Sequence, residues 1–282
     1  MPNLALFKFN NLSNTAFTND AWYVGGSATV NALAGNDIIT ARSASGRGLY
    51  YDGIHNAGTI NTGTGLDRIT GTGLVSYSGH GILNGGNIFT GSENDTIKGI
   101  GRIGSSGIAN GTDGTIDTGS GNDLITGRGA LSSYPLPGVT GISNGGVIMT
   151  GIGSDRIRGI GNSGINNGGL IDTGDGNDIV DAIRGGFSNS GTIDLGIGND
   201  ILKGFAKGYQ YLNDGKFNGG AGDDRILFSQ GVYKIMGGTI SSGGLNMYVE
   251  QFERVGGVNS GLFSLQNGTL TVNSLGAATF TL

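Results

Sequence analysis

The chain has no cysteine, only three prolines and one tryptophan, and 13% of its 282 residues are charged. Each shortage excludes something. Without cysteine there is no disulfide framework and no thiolate metal site, which leaves hard oxygen ligands for any metal. The sparse charge, beside 36% hydrophobic residues, is the reverse of the disordered signature, so the chain should fold. No stretch approaches the ~18 apolar residues of a membrane span. Residues Met1 to Asn10 carry neither a basic region nor an apolar run of about 7 residues, so no cleavable signal peptide is expected. A net charge of −5 and a pI near 4.9 argue against nucleic acid or an anionic membrane as the main partner. Cations suit such a chain better.

What the chain has in excess is glycine, 60 residues without a period of three. Aligned on Gly-x-Gly-x-Asp, it places aspartates at Asp37, Asp67, Asp95, Asp123, Asp155, Asp178, Asp200 and Asp224, with steps of 30, 28, 28, 32, 23, 22 and 24 residues. Periods of this length mean a solenoid or an array. A second marker divides each period: Asn56, Asn84, Asn110, Asn144, Asn167, Asn189 and Asn213, in Gly-Ile-x-Asn-x-Gly or looser variants. Each lies 11 residues before the next repeat aspartate, except Asn110, which lies 13 before. From aspartate forward to asparagine the distance instead varies between 11 and 21 residues. Insertions bulge outward where strands need not pair in register, so the constant arc is expected to be the paired wall and the variable arc to carry loops.

Three apolar columns follow from the repeat. One runs from Ile39 through Ile69, Ile97 and Ile125 to Ile226, one from Ile60 through Ile88 and Ile116 to Phe217, and one from Ile54 through Ile82 and Ile108 to Phe187. Stacking such columns buries surface that no repeat could bury alone. Helices are excluded because no i, i+3, i+4, i+7 pattern persists and because glycine at this density costs a helix about 1 kcal/mol per position relative to alanine. The expected fold is all-β: a right-handed parallel β-solenoid of about eight coils over 28–227. Residues 1–27 and 228–282 are expected to form β end structures, the latter as hairpins.

The stretch Gly219-Gly220-Ala221-Gly222-Asp223-Asp224-Arg225-Ile226-Leu227 resembles the haemolysin-type (RTX-like) nonapeptide repeat proteins, here of a long-period kind similar to some cyanobacterial proteins. Most other repeats place Thr before the motif, as in Thr118-Gly119-Ser120-Gly121-Asn122-Asp123; Leu33 replaces the first glycine of the first repeat, and Glu93 the second glycine of the third. The resemblance implies calcium held between consecutive turns by aspartates and glycine carbonyls, with the eight repeat aspartates as metal ligands. It also implies secretion by a type I route without a cleaved signal; the ending Ala277 to Leu282 resembles the end of such signals. The opposite turn carries asparagine, so at most one row of ions is implied. The residues add their own argument: carboxylates stacked roughly 5 to 7 Å apart raise one another's pKa. Divalent ions would neutralise them, and Arg68, Arg156 and Arg225, directly after their aspartates, would do so in part. The alternative is that the aspartates only satisfy turn amides. The asparagine column is expected to be a structural amide ladder.

His55 and His80 lack a recognisable catalytic motif, and neither a nucleophile elbow nor a P-loop is present. Thr62, Thr90, Thr118, Thr150 and Thr173 share the inward parity or sit at the turn, which argues against an ice-binding face. The expected function is therefore that of a secreted calcium-binding structural or adhesive protein of the cell surface or extracellular matrix, not an enzyme. Copies of itself docked end to end into filaments, and surface glycans, are the expected partners besides calcium. A polysaccharide-acting solenoid enzyme and a calcium-free solenoid scaffold are the alternatives. Tyr50, Tyr51, Tyr77 and Tyr134 lie on the variable arc, where they could stack on sugars.

Overall fold

A computed structural model describes residues 3, 9–10, 12–18, 20–43, 51–73, 79–102, 104–130, 139–205, 211–212 and 215–282. The protein is an all-β parallel solenoid. Each coil gives one short strand to each of three sheets, as in Ile54–Asn56, Thr59–Asn61 and Arg68–Thr72. Among the described residues the first sheet, whose repeat strands start directly after the aspartate, has 11 strands; the second, in which the strands from Ile54–Asn56 to Phe187–Asn189 end at the asparagine, has 8; the third, between asparagine and the glycine turn, has 13. Alternating Ile, Val and Thr favour a pleated strand with one face buried. The register follows from that: Ile39 lies opposite Ile69 and Ile69 opposite Ile97, Ile54 opposite Ile82, and Ile60 opposite Ile88.

These isoleucines are fully buried and form one continuous core. Burying each such side chain stabilises by about 1.5–3 kcal/mol. Where the first and second sheets converge there is room for nothing larger than alanine. A Cβ on Gly71 would stand 2.2 Å from the carbonyl oxygen of Gly81, and the same inward position reads Ala41, Gly99, Gly127, Gly159 and Ala182 in other coils. The glycine excess is thus partly a packing requirement between sheets.

Two features depart from the sequence reading. Pairing is not confined to the constant arc, because the first-sheet strands from Ile38–Arg42 to Ile201–Phe205 fall within the opening residues of the variable arc. Length variation is pushed instead into the link between the first and second sheets. Parallel stacking also begins before residue 28: Thr15–Thr18 pairs in parallel with Ile38–Arg42, and Trp22–Val24 with Ile54–Asn56. At the other end Arg254–Gly257 still pairs in parallel with Arg225–Phe228. In the third sheet Leu245–Glu250 likewise pairs in parallel with Lys216–Asn218, and from it Thr239–Ser242, Gly231–Met236, Gly268–Val272 and Ala278–Thr281 extend the sheet in antiparallel pairs. The tail that resembles a secretion signal is the last of these strands, with Phe280 stacked on Phe263 at 5.8 Å.

The glycine turns stack as closely as the strands. Gly63 has φ +96°, and a Cβ there would lie 1.7 Å from the carbonyl oxygen of Leu33. Leu33 and Glu93, the two replacements in the motif, nonetheless adopt φ 74° and 72°. A side chain in that left-handed region costs about 1–2 kcal/mol. Leu33→Gly should therefore raise stability by about 1 kcal/mol, while Gly63→Ala should lower it by more than about 2 kcal/mol, both read from denaturant melts.

Candidate functional site

The turn that ends each third-sheet strand carries the repeat aspartate inward, and all eight form one column with 0–2% exposure. Their geometry repeats. The backbone N–H of Asp37 donates to Oδ1 of Asp67 at 2.7 Å, Asp67 to Asp95 at 2.8 Å, Asp95 to Asp123 at 2.7 Å and Asp123 to Asp155 at 2.7 Å. Asp155, Asp178 and Asp200 continue to Asp178, Asp200 and Asp224 at 2.7, 2.7 and 2.8 Å. Two members have no Gly-x-Gly motif to announce them. Asn14 donates its amide to Oδ1 of Asp37 at 2.7 Å, and the amide of Asp224 donates to Oε2 of Glu253 at 2.7 Å. Gln251, two residues before Glu253, takes φ 52°. A column position two residues before the inward Ala16 and Val255 was the available signal.

The second oxygen of each of the eight aspartates, Oδ2, is buried and accepts nothing. Burial pushes Asp95, Asp155 and Asp200 up to about 7 and Asp178 and Asp224 up to about 6. Asp67 and Asp123 are raised for the same reason. Mutual repulsion, the cause expected from the spacing, ranks below burial in every case. The arginines expected to neutralise the column point the other way. Arg156 bridges to Asp181 at 3.0 Å, Arg225 to Asp223 at 3.5 Å, and Arg68 donates to Oγ1 of Thr70.

Two further ladders flank this one. Asn56, Asn84, Asn110, Asn144 and Asn167 each donate Nδ2 to Oδ1 of the asparagine one coil on, at 2.7–2.9 Å, ending on Asn189. Asn213 lies outside the described residues, as do Tyr50, Tyr77 and Tyr134; Tyr51 is half-buried. The threonines are buried, and Thr62, Thr90, Thr118 and Thr150 donate to the next threonine's carbonyl. They also lie beside the carboxyls of their own turns and hold those pKa values down in part.

Calcium takes about 6 to 8 oxygen ligands. In these turns Oδ1 already accepts an amide, and the glycine carbonyls do as well: Ser120 N–H donates to the carbonyl of Gly91 at 3.0 Å, and Ile152 N–H to that of Gly119 at 2.9 Å. An N–H dipole aimed at each carboxyl puts positive charge where a cation would have to sit. Among the described residues no three acidic or imidazole groups converge on one point. The column as arranged therefore does not fit the ion shell that the resemblance implies. What it fits is a carboxyl with one oxygen accepting an amide and with burial disfavouring its charge.

A smaller cluster escaped the sequence reading. Buried Asp52 accepts the amide of His80 on Oδ1 at 2.8 Å and faces Nδ1 of His55 with Oδ2 at 3.2 Å, while Nδ1 of His80 accepts the amide of Ser106 at 3.1 Å. Burial lowers the His80 pKa, with the Asp52 charge opposing. The three residues hold successive coil corners together. The signal was the residue before each Gly-Ile, which reads Asp52, His80, Ser106, Thr140 and Ser163.

No family model, no curated protein and no solved structure matches the chain.

A carboxyl whose pKa is raised on folding contributes stability that is present in full below the unfolded value of about 4 and lost as pH rises through the folded value. With folded values at about 6 to 7, the melting temperature in the absence of divalent ions should be higher at pH 5 than at pH 8. A melting temperature that instead rises over this interval would mean that the column is ionised when folded.

Proposed function

We propose that the protein is a non-catalytic solenoid scaffold, a structural or adhesive element of the cell surface or matrix whose rigidity comes from hydrogen bonds between coils. The observation that carries this reading is the set of three side-chain ladders, aspartate, asparagine and threonine, running from coil to coil through the stack. They make a rod of roughly 40 Å, at about 4.8 Å per coil, in which no coil can turn without breaking its neighbours' bonds. The side chains that the motif repeats are used inside the rod, so the strand faces and the links of the variable arc are what it offers to partners. The resemblance of the turn motif to haemolysin-type repeats supports an extracellular location. Calcium, the cofactor that resemblance implies, has in the ladder geometry the opposing argument given above.

Asp123 tests the ladder against the ion. Asp123→Asn keeps an acceptor for the Asp95 amide and removes the charge, so it should be no less stable than the parent at pH 8. Asp123→Ala leaves that amide buried without a partner and should cost about 1–3 kcal/mol at both pH 5 and pH 8. If calcium raised the melting temperature of the parent but not of Asp123→Asn, the ladder reading would be wrong and a calcium-dependent scaffold would replace it.

Assembly end to end is supported by the strand order. The first sheet finishes on Thr15–Thr18 at one end, with Phe17 61% exposed, and on Leu262–Ser264 at the other. Edge strands with apolar side chains pair with further copies. Light scattering that grows with protein concentration, and falls on Phe17→Lys, is the expected outcome; a monomer at every concentration would remove the filament from the reading.

A further inference from the structure

The chain is acidic, yet its positive charge is gathered on one face. Outward positions of the first sheet alternate with the buried isoleucines, and on five successive strands they carry Arg42, Arg68, Lys98, Arg128 and Arg158, one on each. Among the described residues none of the five has an ion-pair partner. The carboxylates that reach this face enter from the fifth of these strands onward: Asp181, opposite Arg158 in the register, bridges Arg156 on that same strand at 3.0 Å and Lys203 at 3.8 Å, and Asp223 bridges Arg254 at 2.6 Å and Arg225 at 3.5 Å. Between the unpaired cations the outward residues are Thr40, Thr70, Thr126, Ile100 and Ile160, short or branched side chains on a flat sheet.

We propose that this face binds an acidic polysaccharide laid along the solenoid axis. Successive coils lie about 4.8 Å apart, close to the length of one extended sugar unit, and each coil supplies one of these cations. Arg68 comes from the row next to the turn, Lys98 and Arg158 from the middle row, and Arg42 and Arg128 from the far row, so a glycan with a carboxylate on each unit runs between cations reaching in from both sides. Threonine hydroxyls between the cations offer donors and acceptors to sugar hydroxyls. A single nucleic-acid strand fits less well, because the interleaved residues are not the aromatic platforms on which bases stack. A second copy docked by its third sheet also fits less well. On the same five coils that sheet points Asn31, Asn61, Phe89, Asp117 and Met149 outward, one carboxylate against five cations.

The inference rests on the scaffold reading and names its partner. The test is binding of polygalacturonate, with neutral dextran and a poly(dT) strand as comparisons, by calorimetry on the full chain at about 50 mM and about 200 mM salt. Polygalacturonate should bind, dextran should not, and affinity should fall with salt. Arg68→Gln with Arg128→Gln should weaken binding about tenfold, while Lys216→Gln with Lys234→Gln, an equal loss of charge elsewhere, should stay within about twofold. No binding, equal loss in both variants, or poly(dT) binding as tight as polygalacturonate would overturn the proposal. Absence of binding leaves the scaffold reading intact. Release of shortened glycan would instead overturn the scaffold reading and keep the face.

Discussion

The rest of the structure depends on one bond repeated: the amide of each turn aspartate donates to the carboxyl oxygen of the aspartate one coil further on. That bond needs the two turns at contact distance, which glycine permits on the crowded side, since a Cβ added to Gly63 would fall 1.7 Å from the Leu33 carbonyl oxygen. Contact distance at the turn in turn fixes the register of the strands on either side, and register stacks the isoleucines. The carboxyl must be buried to accept the amide, and burial works against its charge. The second oxygen, left without a donor, is where protonation would relieve that conflict.

Much of this was legible in the sequence because a repeat shows itself through spacing. The eight aspartates, six described asparagines and three isoleucine columns stand in the structure as their intervals require. The ends of the aspartate ladder were not legible, since Asn14 and Glu253 do the same work from turns without the glycine pair. At Gln251, as at Leu33 and Glu93, a non-glycine residue adopts the left-handed backbone that glycine takes in the other turns. The Asp52 corner was hidden for a related reason: the position before Gly-Ile changes chemistry from coil to coil, so nothing repeats except its polarity.

The basic face was hidden differently. Net charge is a sum over the whole surface, and −5 conceals how its parts are arranged. Only the alternation of the first-sheet strands, inward at Ile69 and outward at Arg68 and Thr70, sorts the cations onto one side. The arginines that follow the aspartates read as partners for them along the chain, whereas the pleat turns the two side chains to opposite faces.

The ladders also share a direction. Aspartate amides, asparagine Nδ2 groups and threonine hydroxyls all donate toward the C-terminal coils. Their dipoles add along the axis, as peptide dipoles do in a helix, opposed at the outer turn asparagines, where the amides of Asn122 and Asp223 donate back to Asn94 and Asn199, and the head and tail of the buried ladders are chemically unlike. Two copies meeting at their ends have one orientation in which donors face acceptors, and a file of such rods would all point the same way.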